Sequence, residues 1–255
     1  MRTRLWIRAT IFLLLGLYFL DTLLTGKISW YVNQNFQWLA GFAGIAFLVL
    51  GISGMVDLLN SRAQAKEKAK TDQLELDPRL HLHGIAPSWL VLGVIAVPLA
   101  LGILVPARPL GAAAVSSSSV TTSISGASNS GASAFSVPPE KRNLMDWMRA
   151  FGNSGDLSEF DGQTAVVTGF VYRDIRLDDK TQFFVMRFVV SCCVADASSL
   201  GLVVETTDAA KFSPDSWVEV KGTLQTRQVD GQTTPVLVAE SIQNIPQPDH
   251  PYLYP

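Results

Sequence analysis

QFFVMRFVVSCCVADASSLG occupies residues 182–201, at the centre of the β-rich half of the chain. Its first thirteen residues are rich in aromatic and β-branched side chains, a composition that suits a pleated, half-buried surface. They predict one long strand over 182–194. Inside that strand stand the only two cysteines of the chain, Cys192 and Cys193, side by side. Small residues then predict a turn, and GLVVE at 201–205 predicts the next strand.

The pattern continues on both sides. QTAVVTGFVY (163–172) follows the turn signal Asp161-Gly162, WVEVKGTLQ (217–225) alternates, and PVLVAESIQNI (235–245) follows the turn signal Asp230-Gly231. Residues 208–215 read as a connection. Gly169 and Gly222 interrupt the first and fourth strands, each two residues after a valine (Val167, Val220), where a barrel strand has to bend. Five such strands predict an all-β, OB-like five-stranded barrel, with an unclosed sandwich as the alternative. KRNLMDWMRAF (141–151) precedes them and sets Leu144, Trp147, Met148 and Phe151 at helical spacing, a short amphipathic helix leading a domain at 138–255.

The first part of the chain is of another kind. Only 16% of the 255 residues are charged, against roughly 25% in soluble domains, which suggests a membrane part. An α membrane region with three transmembrane helices is expected in residues 1–110, at about 6–24, 37–59 and 88–105, each near the ~17–25 apolar residues a bilayer requires. The first has the basic start of a signal peptide, but its apolar run is long and no small-residue cleavage site follows, so it reads as a retained span. Arg2 and Arg4 precede it and Arg8 lies near its start, Lys27 alone lies in the first loop, and Arg62, Lys66, Lys68, Lys70 and Arg79 lie in the second. The excess of basic residues on cytoplasmic sides then predicts a multi-pass cell-membrane protein with a cytoplasmic N-terminus and an extracytoplasmic C-terminal domain. Trp30, Tyr31, Trp38 and Trp89 read as interfacial anchors. Gly41, Gly44, Gly51 and Gly54 give the second helix a smooth face for close packing on a helix of this chain or of another protein. Asp21 and Asp57 lie near span ends, within reach of headgroup water, and His81 and His83 read as solvated loop residues. Residues 111–137, nearly all Ser, Ala, Gly and Thr, predict a flexible linker.

Charge and motif content exclude several functions. A net charge of −2 without a basic cluster gives no footprint for nucleic acid. No Ser-His-Asp order, glycine-rich phosphate loop or carboxylate pair is present, so no enzyme is expected. The cysteines are the remaining chemistry. In an extended strand Cys192 and Cys193 face apart and grip one ion together only if the chain bends, whereas Cys192, Val194 and Asp196 share a face. Cys192, Cys193 and Asp196 are thus candidates for part of a zinc-like metal site, with further ligands from elsewhere or from a partner; His250 is the only histidine of the exported half. Buried apolar cysteines or a vicinal disulfide in an oxidising compartment are the structural alternatives.

The run RFVVSCCVADA (187–197), the proline-rich exit PARPLG (106–111) and the terminal PYLY (251–254) together resemble the YcgQ-like family of two-component membrane permease subunits. The resemblance covers most of the chain, and the central run is its specific part. It implies an accessory subunit acting beside a larger polytopic permease subunit, with the family motif falling on Cys192, Cys193, Asp196 and Arg187. The long Ser/Ala linker departs from the family pattern. The expectation is therefore a permease subunit whose exported barrel captures or gates a solute or metal ion. Its alternatives are a membrane-tethered redox or sensor protein using the cysteine pair, and a structural anchor for another envelope protein.

Overall fold

The computed structural model describes residues 2–68, 89–105, 107–115, 120–122 and 137–255; His81 and His83 lie outside them. The chain divides into two units. The first is Met1–Ser29 with Gln34–Arg108; the second is Pro109–Pro255, to which the short segment Trp30–Asn33 also belongs.

In the first unit, α1 spans Arg2–Leu24, α2 Gln37–Lys68 and α3 Trp89–Leu104. Leu5–Leu24 and Gln34–Asn60 are long and apolar enough to cross a membrane. The third expected span is not their equal. Its helix has 16 residues, about 24 Å at 1.5 Å per residue, short of the ~30 Å hydrocarbon core. Two helices of membrane-spanning length, rather than three, are therefore present among the described residues. The glycine face of α2 is used within this chain. A Cβ placed on Gly51 would lie 2.7 Å from Leu13 Cγ and 2.9 Å from the Leu13 backbone nitrogen, and one on Gly44 would lie 3.1 Å from Phe19 Cβ. Gly16 of α1 answers in kind, 2.6 Å from Leu48 Cγ. The two backbones approach because neither side carries bulk there, and Phe12 and Phe19 stack on Phe47 at 6.0 Å on either side.

The second unit opens with α4, Leu144–Asn153. The helix starts later than its spacing suggested because Asn143 caps it. The Asn143 side chain accepts from Met145 N and Asp146 N, and Asp146 reaches back to the Asn143 amide. This reciprocal bonding fixes a helix start. The strands are β1 Thr164–Tyr172, β2 Gln182–Val189, β3 Ser198–Glu205, β4 Trp217–Val229 and β5 Gln232–Asn244. All neighbours pair antiparallel except β3 with β5, and β1 also pairs with β4. The order β1-β2-β3-β5-β4 therefore closes on itself. At Gly169 and Gly222 a Cβ would collide with the Met186 and Val238 carbonyl oxygens of the neighbouring strands, so the two predicted bends are places of close backbone approach, the second beside a bulge at Lys221 and Gly222.

Successive residues of β2 alternate between two cores. Phe183, Val185 and Val189 join the core that takes in α4, where Leu144, Trp147, Met148 and Phe151 are buried. Phe184, Met186 and Phe188 point into a second core with Phe170, Val203, Trp217 and Tyr252. That second layer is roofed by segments from outside the sheet: Leu110, Ala112, Val115 and Val120 pack on it, and Thr121 forms a parallel bridge with Leu200. The described residues of the expected linker, 111–115 and 120–122, thus lie against the sheet, and the rest of 111–137 up to residue 136 is outside the described residues. The C-terminal tail adds to the same layer, with Tyr252 in its core and Val189 bridging Leu253.

Candidate metal centre

β2 ends at Val189, five residues before the sequence pattern suggested, and the reason is Asp196. Its carboxylate accepts from the amides of Ser191 at 2.9 Å, Cys192 at 2.7 Å and Cys193 at 3.3 Å. Three amides drawn to one carboxylate cannot also serve a sheet ladder, so the chain turns and enters a short 3-10 turn, Val194–Asp196. The alternation that would have sent the two cysteines to opposite faces is lost. Their sulfurs lie 3.7 Å apart. Cys192 is exposed and Cys193 half-exposed, both as free thiols. One ligand atom from each of Cys192, Cys193 and Asp196 lies within 4.8 Å of the others. The three residues singled out from the sequence therefore meet, through a bend rather than through a shared strand face.

The loop is held from behind on both sides. Asn33, 4% exposed, donates its side-chain amide to the carbonyls of Ser191 at 2.8 Å and Val190 at 3.3 Å. Its backbone amide donates to Cys192 O at 3.0 Å, and Val194 N donates to Tyr31 O at 2.9 Å. From the C-terminal tail, Leu253 O accepts from Val190 N at 3.0 Å. Arg187 lies 5.5 Å from the Trp217 ring centre and donates to the carbonyls of His250 and Pro251 at 2.6 and 3.2 Å; burial lowers its pKa. Arg187 thus binds the tail and stands apart from the thiol group. Sequence reading missed Asn33, and took Tyr31 for an interfacial anchor rather than a partner of this loop, because nothing in a turn between two apolar helices signals a partner some 160 residues away.

Electrostatics favour a quiet thiol. The hydrogen bond to Asp196, followed by that to Cys193, pushes the Cys192 thiol up to about 11. The same Cys192 bond, with the backbone amides, holds Asp196 down to about 2. Reactive cysteines have depressed pKa values, so in the absence of a cation Cys192 is a protonated, weakly nucleophilic thiol. A cation between the three groups reverses that preference, since metal binding displaces thiol protons.

Another polar feature lies in the first unit. Arg8 and Asp57 line a groove of about 450 Å³ between α1 and α2 with Ala9, Phe12, Ser53 and Gly54.

Comparison with known proteins places this architecture. Residues 7–121 match the DUF1980 N-terminal domain and residues 116–255 the DUF1980 C-terminal domain. A Streptococcus mutans protein named "Putative two-component membrane permease complex subunit" is 26% identical over 283 residues, covering 95% of this chain and 98% of that protein. The UPF0703 protein YcgQ of Bacillus subtilis is 36% identical over 98 residues, 38% of this chain and 34% of that protein. The chain belongs to the DUF1980 family, with YcgQ among its relatives.

Proposed function

We propose that the chain is an accessory subunit of a membrane permease complex, and that its second unit captures a solute or metal ion at Cys192, Cys193 and Asp196 outside the cell. The observation that carries the capture site is the 3.7 Å separation of two free, accessible thiols beside a carboxylate. The name of the Streptococcus mutans relative supports the subunit role. A larger polytopic subunit is the partner this implies.

The strand order, with its parallel β3–β5 contact, suits an OB-fold, a five-stranded Greek-key barrel. Such barrels commonly bind ligands on the face of strands 2 and 3. Here Phe184, Met186, Phe188 and Val203 of that face belong to a core roofed by Val120 and Tyr252, which turns attention to the cysteine loop instead.

Connectivity supports the outward orientation in this reading. Trp30–Asn33 lies between α1 and α2 in sequence yet belongs to the second unit, so that unit shares the side of the α1–α2 loop. The loop carries Lys27 alone among basic residues, which favours the outer face. An outward second unit also calls for a further crossing after α2, and α3, though shorter than a full span, is our candidate for it.

Purification of the tagged full chain in mild detergent tests the subunit role. Recovery of a polytopic membrane protein in fixed stoichiometry is expected; a chain that purifies alone at every detergent strength contradicts it. Labelling of Cys192 in intact cells by a membrane-impermeant maleimide is expected too, and labelling only after lysis would overturn the outward orientation.

A further inference from the structure

We infer that the site's cargo is a divalent ion of the zinc class, held by three protein ligands with a fourth position left open for its transfer. The inference rests on the capture reading and narrows it. Four observations carry it.

The first is spacing. Two sulfurs bound to one tetrahedral zinc at ~2.3 Å stand ~3.8 Å apart, and the thiols here stand 3.7 Å apart with no ion between them. The Asp196 carboxylate, within 4.8 Å of both, needs to close by only about 1 Å to reach a third vertex. The second is the donor set. Magnesium and calcium take oxygen ligands, copper(I) prefers soft sulfur to a carboxylate, and a mixed thiolate–carboxylate set suits a borderline ion.

The third is incompleteness. Among the described residues no fourth His, Cys, Asp or Glu joins the group, and Cys192 and Asp196 are exposed. Structural zinc sites are closed by four ligands, whereas sites that exchange a ligand keep one position open. The fourth is rigidity without the ion. Asn33, Tyr31 and Leu253 already hold the loop backbone from both sides, so the ion is not needed to fold it.

The test uses the reduced full chain in detergent, with cobalt(II) as a spectroscopic stand-in and zinc(II) and copper(I) in competition against chromophoric chelators. One cobalt per chain with thiolate charge-transfer absorption is expected, displaced by zinc. Affinity should fall about 100-fold or more in Cys192→Ala and in Cys193→Ala, and about 10-fold in Asp196→Asn, while circular dichroism stays the same with and without metal. Should Asp196→Asn disturb the loop, the two cysteine variants, which keep the carboxylate staple, still decide the ligand set. Tight copper(I) binding that ignores Asp196→Asn, with weak zinc binding, overturns the zinc-class inference and leaves the capture reading standing. Binding of neither ion by a chain with two titratable thiols overturns the zinc-class inference together with metal capture at this site.

Discussion

The hydroxyl of Tyr252 accepts the amide of Leu110 at 2.8 Å, 142 residues earlier in the chain. The same hydroxyl lies 3.1 Å from the Trp30 carbonyl, to which it donates. One phenol thus joins the exit from the apolar region, the turn between α1 and α2, and the C-terminal tail. The three motifs that carry the family resemblance meet here, because Leu253 of the same tail holds Val190 beside the cysteines. Tyr252→Phe removes both bonds at once and leaves a partly buried amide and carbonyl without their partner. A loss of about 1–3 kcal/mol is expected, read as a lower unfolding midpoint of the full chain in detergent with its secondary structure intact.

Asn33 acts closer to the site. Asn33→Ala strips the Val190 and Ser191 carbonyls of their side-chain donor in a buried position, at a cost of about 1–3 kcal/mol. It should also loosen the thiol pair. Faster hydrogen exchange at residues 190–194 is the expected signature; unchanged exchange there would separate Asn33 from the site.

The Asp196 carboxylate sets the reactivity of Cys192. In a Cys193→Ser background, alkylation of Cys192 by iodoacetamide should rise with a midpoint well above the ordinary thiol range, in line with the upward shift to about 11. Adding Asp196→Asn removes the first cause of that shift, and the midpoint should move toward the ordinary 9.0. At pH 8 the reaction should then run roughly ten- to a hundredfold faster.

The same carboxylate predicts a dependence on acid. Its folded pKa, about 2, lies below the ordinary 3.8, so its contribution is fully present above pH 3.8 and is lost as pH falls toward 2. Amide protection in the loop, taken relative to the intrinsic exchange rate at each pH, should fall over that window. A loop equally ordered at pH 2 and pH 5 would show that the amide bonds to Asp196 do not hold it.

In the first unit, Gly51→Val places side-chain atoms where Leu13 already stands, with the nearest backbone atom 2.9 Å from the new Cβ. Separation of α1 from α2 at that level should cost about 1–3 kcal/mol, seen as a lower thermal midpoint. The equivalent change at Gly93, whose Cβ would meet nothing within 4 Å, should leave the midpoint in place.

Much of this was legible in the sequence, and the remainder has a physical cause. Strand composition and turn dipeptides located all five strands, since Asp230 and Gly231 take the positive φ of 49° and 73° that their turn requires. Cys192, Cys193 and Asp196 were legible as a group because they are near neighbours in the chain. Their geometry was not, since a local carboxylate outcompeted the strand ladder for the amides of 191–193. Residues 111–115 and 120–122 have the composition of a tether, yet Val115 and Val120 find apolar partners in Phe184, Met186 and their neighbours, and such a long-range pairing leaves no local trace. The shortness of α3 was already visible in the sequence, where the apolar run at 88–105 is the shortest of the three and stops at Pro106, whereas the role of Asn33 was hidden because it depends on where the chain returns to.

Whether Cys192, Cys193 and Asp196 hold one thiophilic ion is decided by zinc-edge X-ray absorption on the zinc-loaded full chain. Two sulfur ligands at about 2.3 Å and lighter oxygen or nitrogen ligands at about 2.0–2.2 Å are expected, with the sulfur shell halved in Cys192→Ala. A bound zinc without sulfur in its first shell, or a spectrum indifferent to Cys192→Ala, would contradict that ligation.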